Sequence, residues 1–565
     1  MKKEQLIQLW MAQGFLQEDQ AKDIHMEDVG DEYFNILLTN SLFQDVERNE
    51  LRDIVSCKMH DAVHDLAQFV SRSETLIHGD DSSKDISHIR HLNLIDDKEI
   101  LVKLGQTGVK TLRTLFSEVD VFDKLSWAFK RLRVLNLSDS YIRTLPASIR
   151  KLKHLRYLNL SETPISVLPR SITELYNLQT LILLQCYFLQ QLPKGVENLI
   201  SLRQFYFDSP NLVPALIGRL TSLRALTMFA VDKEEGHGIE ELGTLRYLRG
   251  RLKILNLEYV AGRDEAIKAN LKEKTKLYEL EYNWGYGNEN CRNDEGVLEG
   301  LQPCRNLKRL NILGFKGQKF PAWCSNISVL NHLVSLRLES CHSCRELPTL
   351  GHLPHLKFLE ISGMDGIKCI GNEFYGNLDG AHSSSGSVES KAVPVFPSLR
   401  KLELEEMEGL QEWKLPALTC GGKGGVLFPH LVELSVEYCP RLSSIPLNQL
   451  ASLQKLHIAD CDKLSKVLIV PPALTIEEDC DGFSDSGDIS FSLPQLESMR
   501  IWRCPNLKRI PDIHGLTSLE IFDIRMCGLT HLPSWMWSCK SLQNFILCNC
   551  PELSYFPEIY EALSL

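Results

Sequence analysis

Leu132-Arg133-Val134-Leu135-Asn136-Leu137, Leu155-Arg156-Tyr157-Leu158-Asn159-Leu160 and Leu178-Gln179-Thr180-Leu181-Ile182-Leu183 repeat one pattern, L-x-x-L-x-L, at intervals of 23 residues. Two periods are superposed in it. The L-x-L alternation has the period of a strand, so the leucines enter one side of a sheet and the residues between them leave on the other. The 23-residue step returns the chain to the same place for another strand. A unit this short cannot bury its own apolar side, so units must stack, giving one continuous core beneath a parallel sheet whose other face is free to vary.

Outward from these three copies, the frame recurs from Leu202, Leu223, Leu252, Leu277, Leu307, Leu333, Leu356, Leu399, Leu431, Leu453, Leu496, Leu519 and Leu542, with weaker copies at Ile89, Leu112 and Leu474. The period is that of leucine-rich repeats, about 20–29 residues. The expected fold is therefore an α/β solenoid, a leucine-rich-repeat horseshoe with a concave parallel β-sheet, over residues 89–565. Ile142-Arg143-Thr144-Leu145-Pro146 and Ile165-Ser166-Val167-Leu168-Pro169 follow the strands. Their prolines suit an irregular convex return better than a long helix. Between Leu356 and Leu399 the frame is interrupted by an expected loop insertion near 376–395, which holds the Ser/Gly-rich tract Gly380 to Lys391. A second insertion is expected near 479–491.

The chain has 565 residues, 44% hydrophobic and 24% charged, too many for one core, so several domains or a repeat array are required. A net charge of -11 excludes a general grip on nucleic acid, which needs clustered Lys and Arg. No apolar run reaches the length of a membrane span, and Glu4, Gln5, Gln8 and Gln13 break up the first residues as a secretory signal. The expected compartment is the cytosol or nucleus, with the 17 cysteines reduced. Seven of them, Cys186, Cys341, Cys439, Cys461, Cys504, Cys527 and Cys550, share one repeat slot. That regularity reads as a ladder of buried thiols rather than a zinc site, in spite of Cys341-x-x-Cys344.

Ahead of the repeats, residues 1–75 form a separate module, with 76–88 as a linker. Lys2 to Gln13 places Leu6, Leu9, Trp10 and Gln13 at helical spacing, with Gly14 as C-cap. A second helix is expected over His25 to Asn40 with Tyr33, Phe34, Leu37 and Leu38 buried. Strands are expected at Leu42 to Val46 and Ile54 to Met59, then a helix from His60 to Ser71 carrying Val63, Leu66, Ala67 and Val70. Helices, a two-stranded wing and another helix suggest a partial winged-helix-like α+β module.

Leu6-Ile7-Gln8-Leu9-Trp10-Met11-Ala12-Gln13-Gly14-Phe15-Leu16 and Lys58-Met59-His60-Asp61-Ala62-Val63-His64-Asp65-Leu66-Ala67 resemble plant intracellular disease-resistance proteins of the coiled-coil, nucleotide-binding, leucine-rich-repeat family. The resemblance runs through the repeats. It implies a plant immune receptor that recognises a pathogen effector or a guarded host protein and restrains its own signalling. In that family the Met-His-Asp motif senses bound ADP, a role that maps onto His60 and Asp61. The family's ADP or ATP is held mainly by an upstream domain with a P-loop, and this sequence contains none; Cys420-Gly421-Gly422-Lys423-Gly424-Gly425 is a loop. No cofactor is therefore expected in this chain alone. It reads as the winged-helix end and repeats of a longer receptor, whose nucleotide-binding domain would be a partner.

Three alternatives stand beside this reading. His60-Asp61-x-x-His64-Asp65 could hold a metal on one helix face as in HD-type phosphohydrolases, but no further ligand cluster accompanies it. Asn136-Leu137-Ser138, Asn159-Leu160-Ser161 and Asn326-Ile327-Ser328 match the glycosylation triplet of an extracellular receptor, yet the first two lie on core strands. A leucine-rich-repeat adaptor that recruits a client without nucleotide control is the third. None of the residues forms a catalytic set, so the chain is read as no enzyme.

Side-chain alternation assigns the concave positions. The middle strands present Glu258, Glu279, Glu281, Glu339, Glu360, Glu403, Glu405, Glu433 and Glu437 against Arg309, Arg337 and Lys401. Later strands present Lys455, His457, Arg500, Trp502 and Arg525, with Asp523 the one acid. The acidic stretch is expected to meet a basic surface such as the receptor's own upstream domain, and the later patch to bind the foreign or guarded protein.

Overall fold

The computed structural model describes every residue except 20, 22, 78–87, 95–110, 119–128, 286–292, 377–393, 417–426, 448–449, 469–490, 512 and 555–565. The expected insertions, the Leu474 copy and the loop at Cys420 thus lie wholly or largely outside the described residues. The chain forms two compact units, Met1–Leu255 with Lys268–Leu277, and Asn256–Ile267 with Tyr278–Leu565.

The first unit opens with helix α1 (Lys3–Gln13), which stops where Gly14 turns left-handed at φ 83° and donates its N–H to the Trp10 and Met11 carbonyls. A side chain there would strain the backbone. Helix α2 (Met26–Thr39) starts at His25, whose backbone N–H is taken by the Asp28 carboxylate at 3.1 Å. The two helices approach closely at Gly30, where a Cβ would stand 2.5 Å from Ile7 Cγ2. Strands β1 (Phe43–Arg48) and β2 (Ile54–Met59) form the antiparallel wing, and α3 (Asp61–Ser71) follows. Ile7, Met11 and Leu16 make one small core, and Phe34, Phe43 and Cys57 another.

One reading of burial fails here, and one apolar stripe is left open. Tyr33 lies beside the buried stripe of α2 rather than in it and is 45% exposed. Helix α3 buries none of its residues, and Leu66, Phe69 and Val70 are all open. Apolar spacing defines a face, but whether anything covers that face depends on tertiary partners.

A parallel sheet follows: β3 (Thr75–Ile77), β4 (His91–Leu94), β5 (Thr114–Ser117), β6 (Val134–Asn136), β7 (Tyr157–Asn159), β8 (Thr180–Leu183), β9 (Gln204–Phe207) and β10 (Ala225–Leu226), each paired to the strand one repeat away. Its first strand begins at Thr75, so part of the stretch read as linker is already in the ladder. Strands β11 (Met228–Ala230) and β12 (Arg249–Leu255) make a further parallel pair.

In the second unit the register is strict. Glu279 pairs Arg309, and the ladder then takes Arg309–Leu313, Ser335–Glu339, Phe358–Ser362, Lys401–Glu405, Glu433–Glu437, Lys455–Ala459, Ser498–Trp502, Ile521–Arg525 and Asn544–Cys548 in that order. Lys455–Ala459 pairs directly with Ser498–Trp502.

The leucines of the frame make the core. Leu132, Leu135, Leu137, Leu155, Leu158 and Leu160 are no more than 1% exposed. Each such side chain contributes about 1.5–3 kcal/mol by burial. On the return side, Pro146 and Pro169 introduce the 3-10 turns Ala147–Lys151 and Arg170–Glu174, which use the fixed φ of proline as expected. The shared cysteine slot is a ladder of buried thiols except at Cys550, which is only half-buried near the end of the ladder; Cys461, Cys504 and Cys527 donate to the Ala459, Trp502 and Arg525 carbonyls at 3.3 Å. Hydrogen bonding with the neighbouring Cys461 thiol, together with burial, pushes Cys504 up to about 12, which keeps it protonated. Asn136 and Asn159 accept the backbone N–H groups of Ser138 and Ser161, a structural use of the glycosylation-like triplets.

Candidate functional site

The face of the first unit's sheet opposite the leucine core is covered by the winged-helix module. Leu9 and Ala12 of α1 pack onto Phe116, Val134, Tyr157 and Ile182, which project from successive strands. Val134, Tyr157 and Ile182 are no more than 9% exposed. Gln13 Nε2 donates to Thr114 Oγ1 at 2.7 Å, and Tyr206 donates to Glu4 at 2.6 Å. Arg133 donates to the Gln13 carbonyl, placing a cation at the negative end of the α1 dipole. Burial and the flanking Arg113 and Arg156 lower the Arg133 pKa.

The acidic edge of α2 meets a basic edge of the solenoid. Glu27 and Arg203 form a two-pronged pair at 2.9 and 2.6 Å, and both residues are no more than 6% exposed. Glu18 adds a contact to Arg203 at 2.7 Å. Burial alone would raise the Glu27 pKa, but the hydrogen bonds and charge of Arg203 outweigh it and hold Glu27 below the usual carboxylate range. Arg249 reaches Asp28 at 3.1 Å and Asp31 at 3.0 Å, and Lys276 reaches Asp28 at 2.9 Å. The His25 ring meets Tyr247 edge-on at 5.0 Å, while Arg224 lies 4.4 Å over the same Tyr247 ring.

Sequence reasoning assigned charge to the middle and late strands and missed this surface. Its signal was nonetheless present. Arg113, Arg133, Arg156, Arg203, Arg224 and Arg249 each follow the first leucine of a repeat or its equivalent, Leu248. The alternating positions Phe116, Val134, Tyr157, Ile182 and Tyr206 are apolar where a solvated face would be polar.

The second unit's open face differs. The expected acidic residues Glu279, Glu281, Glu339, Glu360, Glu403, Glu405, Glu433 and Glu437 do lie on ladder strands, and much of their charge is met within the ladder. Arg309 lies 3.7 Å from Glu279, and Arg337 reaches Glu339 at 2.8 Å and Glu360 at 3.2 Å. Lys401 meets Glu403 at 2.7 Å and Glu433 at 3.9 Å. Burial and the neighbouring Glu437 carboxylate raise Glu405. Glu258 is off the ladder: it sits in the turn Leu257–Tyr259 and accepts the Gly285 N–H at 2.8 Å.

The later patch is assembled by register. His457 pairs Arg500, and Trp502 pairs Arg525. The His457 ring meets Trp502 edge-on at 4.9 Å, and Arg525 lies 5.1 Å from the Trp502 ring on its other side of the ladder. Asp523 is not a solvated acid, being 3% exposed and gripped by Arg525 at 2.8 and 3.0 Å.

The model of the "Disease resistance protein Winged helix domain" matches residues 1–67, and that of the "Leucine-rich repeat region" matches 108–465. The RPP13-like protein 1 of Arabidopsis thaliana is 35% identical over 588 residues, covering 99% of this chain and 52% of that protein. Disease resistance protein RGA2 of Solanum bulbocastanum is 34% identical over 523 residues, covering 90% and 47%. The chain belongs to the leucine-rich-repeat disease-resistance proteins. It spans about half the length of these relatives.

Within this disease-resistance chain, the motif residues His60 and Asp61 lie at the exposed start of α3. His60 Nδ1 accepts the Ala62 N–H at 3.2 Å, which is a helix cap. No group of three or more candidate metal ligands occurs among the described residues, and no helix there is long and apolar enough to cross a membrane. Among the described residues, His60 is used as the cap of α3 and Asp61 stands in its first turn, so these two serve the helix and do not themselves form a phosphate cradle.

Proposed function

We propose that this chain supplies the recognition and self-restraint of a plant defence receptor, acting by protein contact and not by catalysis. The observation that carries the restraint is the buried Glu27–Arg203 pair, set among Arg249, Lys276, Asp28 and Asp31, which ties the winged helix to the first repeats. An interface in which ion pairs stand beside an apolar patch suits a contact that must release, since opening it lets water solvate the separated charges. The later repeats engage the pathogen-derived or guarded host protein. His60 and Asp61 would report on nucleotide only where a phosphate cradle from elsewhere in a receptor completes the site.

The test uses a full-length receptor carrying this chain. Arg203→Glu should cause cell death without any ligand, and adding Glu27→Arg should restore quiescence at equal protein abundance. A silent Arg203→Glu receptor at normal abundance would remove the restraining role. Co-purification of a ligase complex, with no effect of either change, would favour the adaptor.

A further inference from the structure

Among the described residues, the charged side chains on the second unit's open face are mostly satisfied inside the ladder, and two cations have no carboxylate there. Arg309, Arg337 and Lys401 each have a carboxylate partner, His457 lies 3.6 Å from Glu437, and Arg525 is held by Asp523. Lys455 and Arg500 are exposed, and among the described residues no carboxylate pairs with either. They stand on adjacent strands, in register with Ser498 and His457. Lys455 and Arg500 are offset by two residues, so at a strand spacing of about 4.8 Å and a rise of about 3.3 Å per residue their Cα atoms stand roughly 8 Å apart, close enough for two long side chains to share one carboxylate brought from outside.

Beside these cations stands a fixed aromatic platform. Trp502 meets the His457 ring edge-on on one side and carries the Arg525 guanidinium over one ring face, where the buried Asp523 holds it, which leaves the opposite ring face for a ligand. A rigid indole next to unpaired cations loses little conformational freedom on binding and is the usual make-up of an interface anchor. Ile546, in register with Asp523 and 38% exposed, extends the apolar part of the surface.

We propose that the face around Lys455, Arg500 and Trp502 binds an acidic segment of a partner protein, one carboxylate seated between the two cations and a neighbouring bulky apolar side chain resting on Trp502. This rests on the reading that the later repeats recognise a partner, and it specifies that partner's chemistry. The pairing of the other open-face cations explains why the acid goes here: elsewhere it would have to displace a carboxylate already bound.

The experiment pans a random 12-residue peptide display library against the purified whole chain, in parallel with the Lys455→Glu/Arg500→Glu variant. Retained peptides should carry Asp or Glu beside an aromatic or large aliphatic residue. A synthetic copy of the best should bind Arg500→Glu at least about tenfold more weakly than the unaltered chain, at unchanged thermal unfolding. Retention of neutral or basic peptides, equal retention by the charge-reversed variant, or no retained peptide would each overturn the proposal. Failure of the recognition reading shows separately, as a ligand response that survives loss of Trp502 in a full-length receptor.

Discussion

The same repeat builds two different surfaces. In the first unit, β7 and β8 are buried along their whole length, because the residues that alternate with the leucines are apolar and meet α1. In the second unit, Arg309–Leu313 and Ser335–Glu339 alternate half-buried and buried, and the charged residues among their outward positions, Arg309, Arg337 and Glu339, are ion-paired along the ladder. A repeat frame thus says where a side chain points, while the residue type at each outward position says whether a partner covers it. The ion pairs differ in kind as well. Glu27 and Arg203 are sealed from water, whereas Arg337 is 42% exposed in its side chain.

This contrast can be broken most sharply at the later patch. Trp502→Ala with Arg500→Glu should abolish ligand-dependent cell death in a full-length receptor while circular dichroism and thermal unfolding of the chain barely change, since neither side chain lies in the leucine core. A folded double variant that still responds would move recognition to another surface.

Next in size is the cost of breaking a buried pair as against an exposed one. Glu27→Ala should destabilise the chain by about 3 kcal/mol, because Arg203 would remain buried with Glu18 alone in place of its two-pronged partner. Replacing both Glu27 and Arg203 by Met should recover most of that loss. Arg337→Ala, removing a solvent-screened partner, should cost at most about 1 kcal/mol. Urea unfolding of the four proteins checks the order, and equal costs for Glu27→Ala and Arg337→Ala would erase the distinction.

The smallest expected effect is on pH. Burial, then the charges of Arg224 and Lys276, lower the His25 pKa, although Asp23 and Glu18 pull the other way. A base whose pKa is depressed on folding is held neutral there, so its stabilisation is complete above the ordinary value of 6.5 and declines as pH falls through and below it. Proteolytic release of the winged helix should therefore rise as pH drops from 7.5 to 5.5, and His25→Gln should flatten that rise. The two carboxylates Glu27 and Asp28, held low by their cations, add a second loss only at more acidic pH.

The order in which elements appear was legible without coordinates. L-x-x-L-x-L at a repeated spacing can satisfy its leucines only by stacking, so Leu135, Leu158 and Leu181 specify a parallel ladder whatever lies around them. The shared cysteine slot, the Gly14 stop and the wing strand Ile54–Met59 were likewise local consequences of residue type and spacing. The placement of Trp502 beside Arg525 also followed from alternation and register alone.

What alternation could not supply was the identity of the covering surface. The Arg203 side chain finds Glu27 across 176 positions of chain, and Arg249 finds Asp28 across 221. Neither pair has any local spacing to betray it. Asp523 counted as the one acid of the later patch because its periodicity is that of an outward residue, yet it is buried with Arg525 closed over it. Helix α3 carries a regular apolar stripe and buries none of it, while the much weaker stripe of α1 is covered on the sheet. Periodicity is a property of one element and is written in the sequence. Coverage is a relation between elements distant in the chain, and the energy of burying or pairing a group exists only once the fold has brought its partner to it.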